Sequence, residues 1–299
     1  MSLELRGTPV EDTYCEAFDG VFSRILITAA DEKRLKRAAF DSTALPCTVL
    51  GESEGGVEKF VGGEETPDGR PGAIIQIWVG KSKKSKEQLE YELGKRIRQG
   101  ILVVPTANVF NVLDSTEKID MMFRVGNCGD GFEFVEKQFG RTMINIPIMM
   151  GSFRIEKRLG IQEGVMGGNL WFMCDYEENA IAVCDATEKA LELVDGVVAS
   201  FREGCSAGSK AGGKYEHIGP STNDPYCPTL KGKIPDSKVP EGVTSIPELV
   251  LNGMTLEVVE EAMRIVVQAV AGMQGLIRIS AGNYGGKFGR HHIRLKSLI

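Results

Sequence analysis

The sequence predicts an α+β fold in which a split βαβ, ferredoxin-like lobe occurs twice. Two observations predict it. Each half of the chain reads strand–helix–strand, insertion, strand–helix–strand. The insertion in each half is rich in glycine, Gly51–Gly72 in the first and Arg202–Ser245 in the second. A length of 299 residues also suits two lobes better than one. The expected lobes are residues 1–150 and 151–299, with the boundary near Gly151.

In the first half, Val21–Ala29 reads as a strand by its β-branched content. Asp31–Ser42 reads as a short helix with Leu35, Ala38 and Ala39 on one side. Pro46–Leu50 is a weak second strand, followed by the irregular Gly51–Gly72 stretch. Ala73–Val79 is apolar throughout, as a buried strand is. Ser85 opens a helix with Gln88 as its capping-box partner, and Leu89, Leu93 and Ile97 share one face. Gly100 ends that helix and Ile101–Val104 is the next strand. Between the halves, Met143–Met150 is strand-like. The second half repeats the order: strand Gly168–Cys174, helix Asn179–Asp195 closed by Gly196, strand Val197–Phe201 and, after the insertion, strand Pro247–Leu251. Thr255 then caps a helix, Leu256–Ala271, whose Val259, Met263, Val266 and Val270 form an apolar stripe. Leu276–Ser280 is the closing strand. In such a sheet the insertions emerge at a common end, which is where chemistry is sought.

The formal net charge is −6, which argues against a nucleic-acid partner and for solubility. Seven cysteines, with no C-x-x-C pair, argue against a disulfide framework or a cysteine zinc site and fit a reducing compartment. The N-terminus lacks an apolar signal region, and no apolar run approaches the ~20 residues of a membrane span. The expected location is the cytoplasm.

Three histidines, His217, His291 and His292, lie in no metal-ligand spacing, so a catalytic metal is not expected. No nucleophile elbow exists. Cys205 and Cys227 lie near His217 in sequence, so a Cys–His pair is one reading and small apolar filler the better supported one. Gly208–Lys214 matches a P-loop core, but Tyr215 stands where Ser or Thr would bind magnesium and no helix follows. What survives is a Gly-rich loop whose Lys210 and Lys214 suit an anion, or else a solvated loop. Gly282–Arg290 is a second Gly-rich segment, and Glu65–Gly72 is a run of tight turns with Arg70 as a carboxylate clamp. Glu248 sits in an otherwise apolar strand. Its carboxyl either faces solvent or is buried; buried without a cation, it stays protonated near neutral pH.

Taken together, Glu11–Phe18, Glu65–Gly72, Pro105–Asn111, Gly167–Asn169, Gly208–Lys210, Lys214–Tyr215, Glu248–Gly253 and Ala281–Gly289 resemble, in that order, the formylmethanofuran:tetrahydromethanopterin formyltransferase family. That family occurs in methanogenic archaea and methylotrophic bacteria. Ser221–Lys231 and Gly289–His292 look closer to its bacterial members. The resemblance implies a duplicated ferredoxin-like fold and a homotetramer with ligand clefts near subunit contacts. It implies reversible formyl transfer from the amine of methanofuran, or a related furan carrier, to N5 of tetrahydromethanopterin. Both carriers are then co-substrates, and no metal or tightly bound cofactor is needed. It assigns the catalytic carboxyl to Glu248. It makes Arg70, Ser209, Lys210, Lys214 and Lys287 contacts for the anionic carriers, and Asn108, Asn169, Asn283 and Tyr284 further substrate contacts. A bacterial member would also join a formyl-hydrolysing complex. The alternative is a non-catalytic carrier-binding paralogue or a subunit of such a complex. The sequence departs from the family at Ser200–Gly204, where a Pro-Phe-Pro-Gly-Gly run is usual, and at Ala44–Gly51.

Overall fold

The structure, a computed structural model, describes residues 3–44, 52–206, 208–210, 214–215 and 221–299, with the backbone alone at 209, 210 and 221. The chain divides into two compact units: an N-terminal unit, Gly20–Gly164, and a C-terminal unit that joins Met1–Asp19 to Val165–Ile299. This division differs from the expected boundary near Gly151. Gly151 is the turn of a hairpin, with φ +85°, that pairs it with Ile148. The strand just beyond, Arg158–Gly160, pairs back with Lys118–Asp120 inside the N-terminal unit. At the other end, residues 3–19 join the C-terminal unit through strand pairing: Val10 pairs with Ile279, and Tyr14–Ala17 pair with His291–Arg294.

The N-terminal unit contains most of β1 (Tyr14–Thr28), then α1 (Glu32–Thr43), β2 (Glu54–Val61), β3 (Gly72–Gly80), α2 (Ser85–Arg96) and β4 (Asn108–Asn111). These strands lie in the order β4–β1–β3–β2, each neighbour antiparallel. A hairpin of β5 (Arg141–Ile148) and β6 (Gly151–Glu156) extends the sheet, with β6 parallel to β4. The core packs Ile25 and Ile27 of β1 and Ile75 and Ile77 of β3 with Leu35 and Ala38 of α1 and Leu89 and Leu93 of α2. Asp31 caps α1 by accepting from the Arg34 N–H at 3.0 Å.

Three local expectations are overturned here. The second strand is β2, inside the stretch expected to be irregular, while Pro46–Leu50 lies outside the described residues. Hydropathy hides β2 because its inward Glu58 is a carboxylate, held by Arg24 at 2.6 Å and by the Gln76 amide at 2.8 Å. Ser85 and Gln88 form no capping box: the Ser85 hydroxyl donates to the Ser82 carbonyl and the Gln88 amide to the Glu52 carbonyl. Gly100 does not stop α2, which continues as a π turn through Ile97–Ile101, so the expected strand at Ile101–Val104 is displaced to β4. A Cβ on Gly100 would lie 2.6 Å from the Ser42 Cα, so this glycine lets the turn approach α1.

The C-terminal unit contains β7 (Gln162–Cys174, from Val165 onward), α3 (Glu177–Leu191), β8 (Val197–Ala199), β9 (Glu248–Gly253), α4 (Leu256–Val270), β10 (Leu276–Ser280) and β11 (His291–Arg294). Its strands run β10–β7–β9–β8, again antiparallel throughout. These four strands and two helices follow the order of β1–β4 with α1 and α2 in the N-terminal unit, which carries further strands besides. Thr255 caps α4, and Val259, Met263, Val266 and Val270 are fully buried along its inner face. Strand alternation then sorts the sheet. Leu170, Phe172, Leu249 and Leu251 face the helices, while Trp171 and Met173 face the other way. Helices leave that second face bare, and the 202–247 insertion covers it with Tyr226, Val239, Val243 and Ile246.

Candidate active site

The insertion, the sheet and α3, through Glu177, Ala180, Ile181 and Cys184, line an open cavity of about 510 Å³. Glu248, the first residue of β9, lines it together with Trp171, Tyr226, Cys205 and the Glu203–Gly204 turn. Strand pairing fixes Glu248 from both sides. On one side it stands opposite Trp171 in the β7–β9 register. On the other it exchanges two backbone hydrogen bonds with Cys205, at 2.7 and 2.8 Å. Period-two alternation with the buried Leu249 and Leu251 turns its side chain away from the helical core and into the cavity.

The Trp171 indole N–H donates to the Glu248 Oε1 at 3.0 Å. Burial pushes the Glu248 carboxyl up to about 7, the indole hydrogen bond opposing part of the rise. Among the described residues lining the cavity there is no Lys, Arg or His to offset its charge. Near neutral pH this group is therefore an acid with a substantial uncharged fraction. Burial also pushes up the phenols of Tyr226 and Tyr284, the latter further by the nearby Glu248 and Glu16. The Cys184 thiol, another lining group, is pushed up by burial as well, so it is not a thiolate nucleophile.

The Gly-rich segment at 282–289 is built around an internal anion. Glu16 of β1 is 1% exposed, and its carboxylate accepts the backbone N–H groups of Tyr284, Gly286, Phe288 and Gly289 at 2.5–3.0 Å. Burial alone would raise its pKa, but the four donors together hold the carboxyl below its ordinary value. Those backbone donors are thus already taken. Asn283 is engaged with Thr13, the Tyr14 carbonyl and the Gly285 N–H, and Lys287 is exposed and off the cavity lining. Asn169 exchanges hydrogen bonds with the Gly282 backbone at 2.6 and 3.1 Å.

The other carrier contacts expected from the sequence are not among the cavity's described lining. Arg70 and Asn108 belong to the N-terminal unit. There the Arg70 guanidinium donates to Asp68, to the Thr28 hydroxyl and to the Thr106 carbonyl, and Asn108 donates to the same Asp68. Thr106 has φ +73°, a region costly for a β-branched residue, so Arg70 buttresses a strained turn. Lys214 is exposed with its ammonium 5.4 Å from the Tyr215 ring. Ser209–Lys210 pair as a short strand with Ser221–Thr222, and their side chains lie outside the described set, as does His217. Glu248, singled out in the sequence, lines the cavity; Trp171 and Tyr226, which line it too, and the buried Glu16 were not singled out. Trp171 is one of only two tryptophans, and it alternates with the core residues of a strand that was read correctly; pairing that strand with 247–251 would have exposed it.

The family formylmethanofuran-tetrahydromethanopterin formyltransferase matches residues 3–148, and its proximal lobe matches residues 151–298. A formylmethanofuran–tetrahydromethanopterin formyltransferase-like protein of Archaeoglobus fulgidus is 58% identical over 99% of this chain and 98% of its own. The solved formylmethanofuran:tetrahydromethanopterin formyltransferase of Methanosarcina barkeri superposes with a TM-score of 0.92 at 34% identity, covering 99% of this chain and 100% of that one. A chain of the formyltransferase/hydrolase complex of Methylorubrum extorquens, solved with methylofuran, gives 0.91 at 33% identity, covering 100% of this chain and 99% of that one. Two lobes matched in order, over nearly the whole length of chain and relatives alike, leave one conclusion: the chain belongs to the formylmethanofuran-tetrahydromethanopterin formyltransferase family.

Proposed function

We propose that this protein transfers a formyl group from formylmethanofuran, or a related furan carrier, to N5 of tetrahydromethanopterin, with Glu248 as the catalytic acid. The observation that carries the assignment is a carboxyl pushed up to about 7, facing a cavity of about 510 Å³ whose described lining offers it no cation. Formyl transfer between amines is acyl transfer. The N5 lone pair forms a bond to the formyl carbon while the C=O π pair moves to oxygen. A neutral Glu248 donates a hydrogen bond or its proton to that oxygen, which a preorganised donor stabilises by ~2.7–4 kcal/mol. The N5 proton passes to the departing furan-side nitrogen, the old C–N bond breaks, the carbonyl re-forms, and Glu248 regains its proton. No metal or resident cofactor enters these steps; the two carriers are the co-substrates.

Several finer readings accompany this one. The repeated strand orders, β4–β1–β3–β2 and β10–β7–β9–β8, support two ferredoxin-like lobes. Exposed Phe123, Phe132, Phe134 and Met150 on the N-terminal unit support self-association, which we take to be a homotetramer. The described helices include none long and apolar enough to cross a membrane, and the protein is proposed to work in the cytoplasm. The likeness to a formyltransferase/hydrolase complex chain supports a similar partner here. The exposed Lys214 and Lys287, with Lys210, remain contacts for the carriers' anionic tails beyond the cavity.

A second reading is a carrier-binding paralogue without transfer activity. It is favoured by the 58% identical relative being described only as formyltransferase-like, while the likeness to the solved enzyme is 34%. It is also favoured by Glu203 and Gly204, which lie in the segment that departs from the family, lining the cavity. A spectrophotometric formyl-transfer assay on the purified chain with both carriers separates the two. Glu248→Gln is expected to lower kcat more than tenfold with KM for each carrier within about twofold. Transfer at the wild-type rate by the variant would remove Glu248 from the chemistry.

A further inference from the structure

We propose that Trp171 is a positioning residue that fixes which oxygen of Glu248 carries the acidic proton, so that this proton faces the cavity; this rests on the role given to Glu248. The indole N–H is a donor only, with no lone pair to offer. The oxygen it binds, Oε1, must act as an acceptor in both protonation states of the carboxyl. In the neutral acid the carbonyl oxygen is the stronger acceptor, so the indole favours the proton on Oε2. Without the indole the proton could occupy either oxygen and the carboxyl could rotate, leaving the acid aimed at the reacting carbonyl for only part of the time.

The surroundings hold the indole in one place. Trp171 is 7% exposed. The Tyr226 ring, carried by the insertion, lies 4.7 Å from it at 60°. On another side, Gly282 packs so closely that a Cβ there would lie 2.6 Å from the Trp171 Cζ2. Gly282 is itself fixed by its two hydrogen bonds with Asn169, a neighbour of Trp171 on the same face of β7. In this reading Asn169 and Gly282 shape the site through the indole rather than by touching the carriers. Covering a sheet face with a loop needs an apolar ring here; it does not need an indole N–H aimed at a carboxyl that has no other described hydrogen-bond donor.

The test replaces the donor and keeps the ring. Trp171→Phe, and a second protein carrying β-(3-benzothienyl)alanine at 171, which keeps the bicyclic shape and lacks the N–H, are assayed for kcat and KM between pH 5.5 and 9. Thermal unfolding of both confirms folding. The expected result is a fall in kcat of about tenfold at pH 6 with KM within about twofold. The pH at which kcat declines should move up by at least roughly half a unit, because a donor that favours the charged form is gone. A wild-type kcat and an unmoved midpoint in the benzothienyl protein would overturn the proposal. Glu248→Gln separates the two layers: if it is inactive while the benzothienyl protein behaves as wild type, only the positioning role fails. If Glu248→Gln is itself fully active, the reading of Glu248 fails with it.

Discussion

At the scale of single residues, a carboxyl whose pKa is raised has a second consequence besides chemistry. Glu248 has an ordinary value of 4.5 and stands at about 7 in the folded chain. Folding thus favours the protonated form. The stability associated with that form is complete below about pH 4.5 and is lost as pH rises through about 7. The loss is at most about 3.4 kcal/mol, since each pKa unit is worth about 1.36 kcal/mol and water at the cavity mouth lowers the real figure. Glu248→Gln removes the titration. Its Tm should match the wild type near pH 5 and exceed it progressively up to pH 8; a difference in Tm that stays constant over this range would show that the carboxyl is not desolvated. The sequence allowed Glu248 to be either solvent-facing or buried, because alternation along a strand says nothing about what covers each face. The insertion makes Glu248 half-buried, with Tyr226, Val239, Val243 and Ile246 packing on the face that carries Trp171.

Individual elements show why some were legible and others were not. The α4 helix was read almost residue for residue, because its cap, its stripe and its closing glycines all agree. Strand β2 was missed because its inward carboxylate is satisfied by partners 34 and 18 residues away, Arg24 and Gln76. The segment 282–290 was legible only as a Gly-rich stretch. Its backbone donors turn on Glu16, which lies more than 265 residues upstream, a partner no local pattern reveals. Replacing it by Gln leaves one acceptor oxygen for four donors. Glu16→Gln should cost about 2–4 kcal/mol, seen as a lower Tm, and should abolish hydrogen-exchange protection at Gly286 and Gly289. Because the Glu16 pKa is lowered on folding, its contribution is present above the ordinary value of 4.5 and fades as pH falls through the folded value. Undiminished protection in the variant would mean that the loop holds its shape without the carboxylate.

For the whole molecule, most of the order of strands and helices was visible in hydropathy and length. The grouping of residues 3–19 with the C-terminal unit was not, because their pairing with β10 and β11 is a tertiary fact that local pattern does not encode. The exposed Phe123, Phe132, Phe134 and Met150 are a liability for a monomer. Light scattering should give a particle of about four times the 32.6 kDa chain. Phe132→Glu with Phe134→Glu should lower that mass, whereas a monodisperse monomer in the wild type would leave those side chains unexplained.

The most direct test of the account is the pH dependence of single-turnover formyl transfer, followed in the wild type and in Glu248→Gln. The wild-type rate should be highest on the acid side and fall as pH rises through about 7, while the variant should be more than tenfold slower and flat across the same range. A variant that transfers formyl at the wild-type rate, or that keeps the same decline near pH 7, would contradict the claim that a neutral Glu248 stabilises the oxyanion.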